Sequence, residues 1–188
     1  MTNSPPIEIV TERLRLRQWR ESDLEPFARL NADPEVMEFF PSTLEAEASH
    51  ALARRWQAQI ADRGWSFWAT EILSSGQFIG FIGLQIPLAP LPFSPCVEIG
   101  WRLAREHWGK GYATEGARAA LRVGFEQLQL AEIVSFTTIR NARSRAVMER
   151  LHMIRSEETF EHPSVPEGNP LREHCLYRLT REQWREGT

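Results

Sequence analysis

The 188-residue sequence predicts an α/β fold with one mixed central sheet of about seven strands and helices on both faces. Strand and helix patterns alternate in the order β α α β β β α β α β β, which is neither a run of βαβ repeats nor strands followed by helices. No linker or internal repeat interrupts them. A hydrophobic fraction of 42% and a charged fraction of 25% are typical of a globular chain. The length fits a single domain over residues 1–188.

The N-terminal third predicts one strand and two helices. Leu14 and Leu16 alternate with arginines in TERLRLRQW, the period of a half-buried strand. The segments SDLE at 22–25 and STLE at 42–45 have capping-box spacing, so we expect a helix to open at each. The second helix would present one apolar face, formed by Ala48, Leu52, Trp56 and Ile60.

The middle of the chain predicts a hairpin, a loop and a strand. Two β-rich runs, 65–73 and 76–86, are separated by a serine-glycine turn and predict an antiparallel pair. The proline-rich segment 89–95 is too irregular for a strand or helix, and the strand CVEIGWRLA follows it at 96–104.

The C-terminal part predicts two helices and three strands. A helix begins near Tyr112 or Ala113, because apolar residues then recur every three or four positions. The strand at 132–139, the helix ARSRAVMERLHM and two strands near 154–160 and 175–179 follow. A proline-rich loop, EHPSVPEGNPLREH, separates the last two strands.

Composition argues against several classes of function. The formal net charge of −3 argues against nucleic acid held by a broad basic surface. The two cysteines, Cys96 and Cys175, lie far apart and form no CxxC pair, so we expect no metal site. We see neither a secretory signal nor an apolar run long enough to cross a membrane, which favours a cytoplasmic protein without a membrane partner.

The segment EHWGKGYATE predicts an anion site. It joins the end of a strand to the start of a helix, where the first-turn amides and the helix dipole attract negative charge. Gly109 and Gly111 allow a ligand oxygen to approach the backbone, Lys110 adds a charge, and Thr114 offers a hydroxyl. A solvated turn without a ligand is an equally good interpretation of the glycines alone. The spacing fits neither GxGxxG nor GxxxxGK[ST].

Together, EIGWRL, WGKGYATE and NARSRAVMERLHM resemble the GNAT superfamily of acetyl-CoA-dependent N-acetyltransferases, in particular its RimJ/RimL-like branch. The family's Q/R-x-x-G-x-G/A loop falls on residues 106–111, with Glu106 at the first position. The resemblance implies that strands 97–103 and 132–139 splay apart around acetyl-CoA. It implies a cofactor-binding set of Trp101, Arg102, Leu103, Trp108, Gly109, Lys110, Gly111, Tyr112, Ala113, Thr114, Asn141 and Ser144.

The start of the fourth predicted helix supplies two of these candidates. Asn141 matches an asparagine that contacts the cofactor in the family, and it is also a reasonable helix N-cap. Ser144 shares a face with Val147 and Leu151, so its hydroxyl either bonds a backbone carbonyl or contacts the cofactor. Many GNAT enzymes protonate the departing thiolate with a tyrosine at the position of Met148, which leaves Ser144 as the candidate donor.

The acceptor side follows from the resemblance and remains less defined. Direct attack by an amine needs a base, for which Glu98 is the candidate; a surface carboxylate paired with an arginine is the alternative. We expect His162, His174 and Trp68 to contact the substrate, and the two histidines are alternative bases. Loop histidines are nevertheless often surface residues, and most tryptophans are core. The acceptor would be a protein N-terminus, a peptide or a small-molecule amine.

Two other functions fit the same sequence. One is a catalytically silent acetyl-CoA sensor, and the other is an interaction module in which the glycines form only a turn. Edge strands and an exposed tryptophan cluster would also allow a homodimer.

Overall fold

The structure is a computed structural model that describes residues 5–187. Its strands are β1 (Ile9–Val10), β2 (Leu14–Arg17), β3 (Phe67–Ile72), β4 (Phe78–Gln85), β5 (Glu98–Leu103), β6 (Glu132–Thr138), β7 (Ile154–Glu161) and β8 (Glu173–Thr180). They form one eight-stranded sheet in the order β1-β2-β3-β4-β5-β6-β8-β7. All neighbours pair antiparallel except β5 and β6, which are parallel. The mixed α/β fold predicted from the sequence is therefore confirmed.

Helices cover both faces of the sheet. They are α1 (Leu24–Ala32), α2 (Ala46–Arg63), α3 (Tyr112–Arg122), α4 (Ala142–Arg150) and α5 (Arg181–Glu186). Trp56 of α2 packs edge-on against Phe67 and tilted against Phe81, so α2 covers the face to which these strand residues point. On α3, a Cβ at Gly116 would overlap Ile82, whose side chain alternates to the opposite face from Phe81. Helix α3 therefore packs against the other face.

The sheet divides between β5 and β6. These strands share one register pair, Glu98 with Val134, and the amide of Val134 donates to the carbonyl of Val97 at 3.0 Å. Beyond this point the hydroxyl of Ser135 donates to the carbonyl of Ile99 at 2.9 Å, in place of a ladder bond. Strand β6 pairs along its whole length with β8 on its other side. The predicted splay is present, and it opens a gap through the middle of the sheet.

Several N-terminal predictions need correction. The first β run is two strands, because Thr11 turns the chain and its amide donates to the carbonyl of Leu14 at 2.9 Å. The sheet therefore has eight strands rather than about seven. Helix α2 begins at Ala46 after an N-cap at Glu45 without a side-chain capping bond, so the capping box predicted at Ser42 is wrong.

The boundary of α1 and the buried face of α2 also differ from expectation. A 3₁₀ turn at Glu21–Asp23 precedes α1, and the Asp23 carboxylate accepts the Arg20 amide at 2.8 Å; Ser22 is not the cap. The buried residues of α2 are Ser49, Ala53, Trp56 and Ile60, a face shifted from the predicted one. Helix α5 was not predicted.

The exposed tryptophan cluster expected from the sequence is wrong. Within residues 5–187 every tryptophan is buried or half-buried, and Trp68 is 0% exposed. No helix in this range is long and apolar enough to cross a membrane.

Candidate active site

A cavity of about 1380 Å³ lies at the gap between β5 and β6. Small-molecule sites usually occupy about 300–1,000 Å³, so this cavity has room for more than one reactant. Its lining comes from β5, β6, the N-termini of α3 and α4, the segment between α1 and α2, and the loop before β8. The gap in the sheet thus joins the two faces of the molecule in one cavity.

The first turn of α3 points unpaired amides into this cavity. Gly111 is the N-cap, with φ of 81°, and Gly109 has φ of 72°, a left-handed conformation that glycine adopts without strain. The first internal helix bond runs from the Glu115 amide to the Gly111 carbonyl at 3.0 Å. Across the described chain, the amides from Gly111 to Thr114 have no acceptor. With the positive end of the helix dipole they form a site suited to a phosphate or pyrophosphate.

An ion pair that the sequence did not reveal holds this helix terminus in place. Arg13 lies at the end of the N-terminal hairpin and pairs with Glu115 at 2.6 Å, while its Nη1 donates to the carbonyl of Lys110 at 2.9 Å. The carboxylate of Glu115 also accepts the Thr11 hydroxyl at 2.6 Å. Burial alone would raise the pKa of Glu115, but hydrogen bonds from Thr11 and Arg13 outweigh it and lower the pKa. The Lys110 side chain itself is exposed and does not line the cavity.

Strand β5 presents open backbone along the gap. The carbonyls of Val97 and Ile99 point toward β6, so alternation turns the amide and carbonyl of Trp101 the same way. Strand β6 has already diverged at Trp101. The indole of Trp108 donates to the carbonyl of Leu103 at 2.8 Å and holds the glycine loop against the end of the strand. A ligand with its own amide groups could pair with β5 here.

Glu98 lies at the base of the gap, where β5 and β6 still touch. It is half-buried, lines the cavity and forms no ion pair with any residue from 5 to 187, so the alternative of a carboxylate paired with an arginine does not hold. Burial raises the pKa of this carboxyl to about 8. A buried carboxyl with a pKa in this range can take up and release a proton near neutral pH.

The N-terminus of α4 forms the opposite wall. The side-chain oxygen Oδ1 of Asn141 accepts the backbone amide of Ser144 at 3.1 Å. The side-chain nitrogen Nδ2 donates to the hydroxyls of Thr137 and Ser144, both at 3.1 Å. Asn141 therefore has the N-cap role, and all its side-chain groups are already engaged. The Ser144 hydroxyl accepts from Asn141 and has no acceptor of its own among the described residues, which leaves its hydrogen for a ligand. Met148 is buried beneath it.

His162 and His174 lie together at the far side of the cavity. Their ring centroids are 4.9 Å apart, and both rings pack around Phe136 and Phe160. Burial, reinforced by the neighbouring His174, lowers the pKa of His162 to about 4. Burial also lowers the pKa of His174, although the Arg172 carbonyl at 2.9 Å opposes this shift. Both rings are therefore neutral at pH 7 and are weaker bases than Glu98.

Trp68, predicted from the sequence to contact the substrate, packs in the core and does not line the cavity. That prediction is wrong. Phe67 and Trp101 do line the cavity, as part of its aromatic wall. The segment between α1 and α2 contributes instead, through the aromatic pair Phe39 and Phe40, which the run FFP at 39–41 could have suggested.

Two arginines extend this aromatic wall. The guanidinium of Arg102 lies 4.1 Å from the ring centre of Phe40. Arg143 of α4 pairs with Glu38 at 2.7 Å and lies 4.6 Å from the Trp108 ring centre, so it bridges α4 and the segment between α1 and α2. Both contacts bring distant parts of the chain together, with Arg102 and Arg143 themselves lining the cavity.

Comparison with known proteins agrees with this geometry. The family profile of the acetyltransferase (GNAT) domain matches residues 13–154. The chain belongs to the GNAT acetyltransferase family. The FsC-acetyl coenzyme A-N(2)-transacetylase of Aspergillus fumigatus is 32% identical over 181 residues, which cover 93% of this chain and 76% of that protein.

Solved structures show the same fold. A GNAT-family acetyltransferase from Bacillus anthracis has a TM-score of 0.77 at 25% identity, over 94% of this chain and 99% of that one. The ribosomal L7/L12 α-N-protein acetyltransferase RimL, solved with coenzyme A, has a TM-score of 0.74 over 94% of this chain and 99% of its own. At 17% identity RimL shares the fold alone.

Membership in the GNAT family explains the shape of the site. GNAT proteins are acetyltransferases whose fold binds acetyl-CoA and which act on amine acceptors. The unpaired α3 amides suit the pyrophosphate of coenzyme A, and the open edge of β5 suits the amide groups of its pantetheine arm. Of the predicted cofactor-binding residues all but Lys110 line the cavity, together with Glu98, His162 and His174.

The glycine loop yields a first prediction. Gly109→Ala should weaken coenzyme A binding by about tenfold, the equivalent of roughly one charge-assisted hydrogen bond, because the new methyl group keeps phosphate oxygens from the backbone. Gly76→Ala is the matched control, since Gly76 has a similar φ of 67° and open space around its Cβ, as Gly109 does. Each variant should lose about 1 kcal/mol of unfolding free energy through strain. Calorimetry that shows equal affinities in both variants would contradict a phosphate site here.

The raised pKa of Glu98 yields a second prediction, which needs no substrate. Between the unfolded pKa of about 4.3 and the folded value of about 8, the folded protein holds a proton that the unfolded chain has released. The free energy of unfolding therefore falls as pH rises through this window. Glu98→Gln cannot titrate, so its melting temperature relative to the parent protein should rise from pH 5 to pH 8.5 by at least about 2 °C. A constant difference across this range would show that the carboxyl titrates normally.

Proposed function

We propose that this GNAT enzyme transfers the acetyl group of acetyl-CoA to a primary amine by direct attack, with both reactants bound together. The observation that carries the proposal is the position of Glu98, a half-buried carboxyl at the base of the β5–β6 gap that has no ion-pair partner among residues 5–187. It shares one cavity with the phosphate-type site at α3, so a base and the expected site of the acetyl donor meet there.

The contents of the cavity support direct attack over an acetyl-enzyme. Neither Cys96 nor Cys175 lines the cavity, and burial raises the pKa of both thiols, which keeps them protonated. The Ser144 hydroxyl contacts Asn141, which is no base. Among residues 5–187, therefore, neither a thiol nor Ser144 is activated to compete with the amine, and the cavity volume admits both reactants.

Glu98 is the proposed general base. An alkylamine is protonated near neutral pH, so it must lose a proton before it can attack the thioester carbonyl. A carboxylate whose pKa is about 8 accepts that proton far more readily than an exposed glutamate does. The amine nitrogen then bonds to the carbonyl carbon, the carbon–sulfur bond breaks, and the electron pair leaves on sulfur. The second proton that nitrogen loses as the amide forms passes to water.

Ser144 is the proposed donor to the departing sulfur. Its hydroxyl hydrogen has no acceptor in the part of the chain that the structure describes, and Asn141 holds the hydroxyl oxygen from the other side. Since a thiolate leaves readily, the contribution should be smaller than that of the base. Met148 stands at the position where many related enzymes have a tyrosine, and its thioether has no proton to donate.

We place the enzyme in the RimJ/RimL-like branch and in the cytoplasm. The WGKGYATE loop supports the branch. The name of RimL specifies the α-amine of a protein, and the name of the Aspergillus relative specifies an N2 nitrogen. The proposed acceptor is therefore either a peptide N-terminus or a small-molecule amine. The exposed edge strand β7 would allow pairing with a second copy. A turnover screen of acetyl-CoA with amines and peptides, read by thiol release, tests the proposal; binding without any turnover would favour a sensor.

The base yields a third prediction. With a reactive acceptor, kcat/KM should rise with pH up to about 8, and Glu98→Gln should lower it by about 10²-fold or more and remove this limb, while acetyl-CoA affinity stays unchanged. His162→Ala and His174→Ala are the controls, and their profiles should keep the limb. A limb that persists in Glu98→Gln and disappears in either histidine variant would assign the base to the histidine pair.

Ser144 yields a fourth prediction. Ser144→Ala should lower kcat by up to about 10²-fold, more than it lowers acetyl-CoA affinity, because proton donation occurs only as the thiolate leaves. Thr137→Val also removes a hydroxyl bonded to Asn141, and it should leave kcat nearly unchanged. A loss confined to binding would make Ser144 a cofactor anchor rather than an acid.

A further inference from the structure

A positive charge lines the acceptor side of the cavity without a carboxylate partner. Nη1 of Arg102 donates to the Asn31 side-chain oxygen at 2.6 Å, and the guanidinium lies 4.1 Å and 5.5 Å from the ring centres of Phe40 and Phe81. Asn31 is neutral and 0% exposed. No acidic side chain within residues 5–187 forms an ion pair with Arg102.

The unused edge of this guanidinium is the one that binds carboxylates. Nε of Arg102 is shut off from water and has no hydrogen-bond acceptor, and no acceptor is found for Nη2 in the described part of the chain either. The N–H groups of Nε and Nη2 point the same way and form a fork that matches the two oxygens of a carboxylate. Asn31 occupies the other nitrogen, and the aromatic rings fix the plane.

A purely structural role explains only half of these contacts. The bond to Asn31 and the stacking on Phe40 hold the segment between α1 and α2 against β5. They do not account for an unpaired Nε, since a buried donor without an acceptor destabilises the fold. Burial lowers the pKa of Arg102 to about 10, so the side chain is still charged at neutral pH. A ligand anion at Nη2 would compensate the charge, and a rotation of the guanidinium that uncovers Nε would complete the fork.

The placement of Arg102 relates this fork to the proposed chemistry. Glu98, Gly100 and Arg102 alternate onto one face of β5, and all three line the cavity. About 13 Å separates the Cα atoms of Glu98 and Arg102, at about 3.3 Å for each of four residues. Between them lies Gly100, and the ring of Phe67 packs over it, 3.1 Å from where a Cβ would be. Phe67 and Phe81 both line the cavity and give this stretch an apolar wall. The cavity thus offers a base, an apolar stretch and a cation in a row.

We propose that the acceptor is a primary amine that also carries a carboxylate, and that Arg102 is the specificity-determining residue that binds this carboxylate. The amine end lies toward Glu98, and an apolar or aromatic body spans the gap. This inference rests on the proposed acetyl transfer for the end that reacts; the carboxylate site itself is independent of the reaction.

Matched acceptors test the proposal. The panel contains aminoalkanoates of increasing length and aminomethylbenzoates, each beside its carboxamide, together with one aminoalkyl phosphonate. Binding to the protein saturated with coenzyme A is measured by calorimetry, and turnover by thiol release. For at least one length, the carboxylate should bind about tenfold or more tightly than its carboxamide. Its kcat/KM should be higher by a similar factor.

Variants assign the preference to the fork. The ratio of carboxylate to carboxamide should fall to near one in Arg102→Gln and to an intermediate value in Arg102→Lys, which keeps the charge and loses the fork. Arg63→Gln is the matched control, because Arg63 is also half-buried without a carboxylate partner but lies outside the cavity. Its ratio should equal that of the parent protein. A ratio within one variant cancels any general loss of folded protein.

Three outcomes would overturn the carboxylate site. The first is that carboxylate and carboxamide bind equally, or not at all, across the whole panel in the parent protein. The second is that Arg102→Gln keeps the preference for the carboxylate. The third is that the parent protein prefers the phosphonate to the carboxylates. The failure of acetyl transfer is a different result: carboxylates would then bind through Arg102 while no amine released thiol. Turnover without a carboxylate preference would sink the Arg102 assignment and leave the transfer reaction standing.

Discussion

The separation of β5 from β6 is the constraint on which the rest of the site depends. One register pair joins these strands, whereas β5 pairs along its length with β4 and β6 with β8. The sheet is therefore two antiparallel halves that meet at Glu98 and Val134. A sheet cannot normally leave strand edges unpaired in its centre, since each open amide or carbonyl loses a hydrogen bond. Here the Ser135 hydroxyl and the Trp108 indole satisfy the carbonyls of Ile99 and Leu103, and Trp101 between them stays open.

The gap also decides which groups can act together. Helix α3 packs on one face of the sheet, and α2 packs on the other. A closed sheet would separate the α3 terminus from the acceptor wall formed by the segment between α1 and α2. With the gap, the unpaired amides, the Glu98 carboxyl and the Arg102 guanidinium line one cavity. The fold thereby places the phosphate-type site on one side of the sheet and the wall proposed for the amine on the other.

Patterns in the sequence predicted the elements that depend on residues close together in the chain. The α3 terminus is one example, because the amphipathic run fixes where the helix begins, and the left-handed φ values of Gly109 and Gly111 explain the two glycines before it. The box at Ser42 failed because its spacing can also occur in an irregular segment, and α2 begins four residues later. Trp68 failed for a different reason: both faces of the central strands are covered, so alternation cannot tell core from cleft.

Contacts between distant residues lay beyond any local pattern. The pair of Arg13 with Glu115 joins positions 102 residues apart, and Arg102 meets Asn31 over 71 residues. The properties of Glu98 belong to the same group, because its pKa depends on how much of the molecule covers it. Sequence reasoning could name Glu98 from its strand, while the absence of an arginine partner came from the structure.

The two ionisable groups of the acceptor side also show what this cavity costs the fold. Glu98 and Arg102 share a face of β5 but lie about 13 Å apart, too far for an ion pair. Burial therefore raises the pKa of the Glu98 carboxyl and lowers the pKa of the Arg102 guanidinium. Each shift means that the folded protein is less stable when that group is charged. A shorter spacing would let the two neutralise each other, with the result that neither could engage a ligand. Their separation keeps both groups available to a ligand. A ligand that binds only the folded state raises the free energy of unfolding and so offsets the cost of burying these groups.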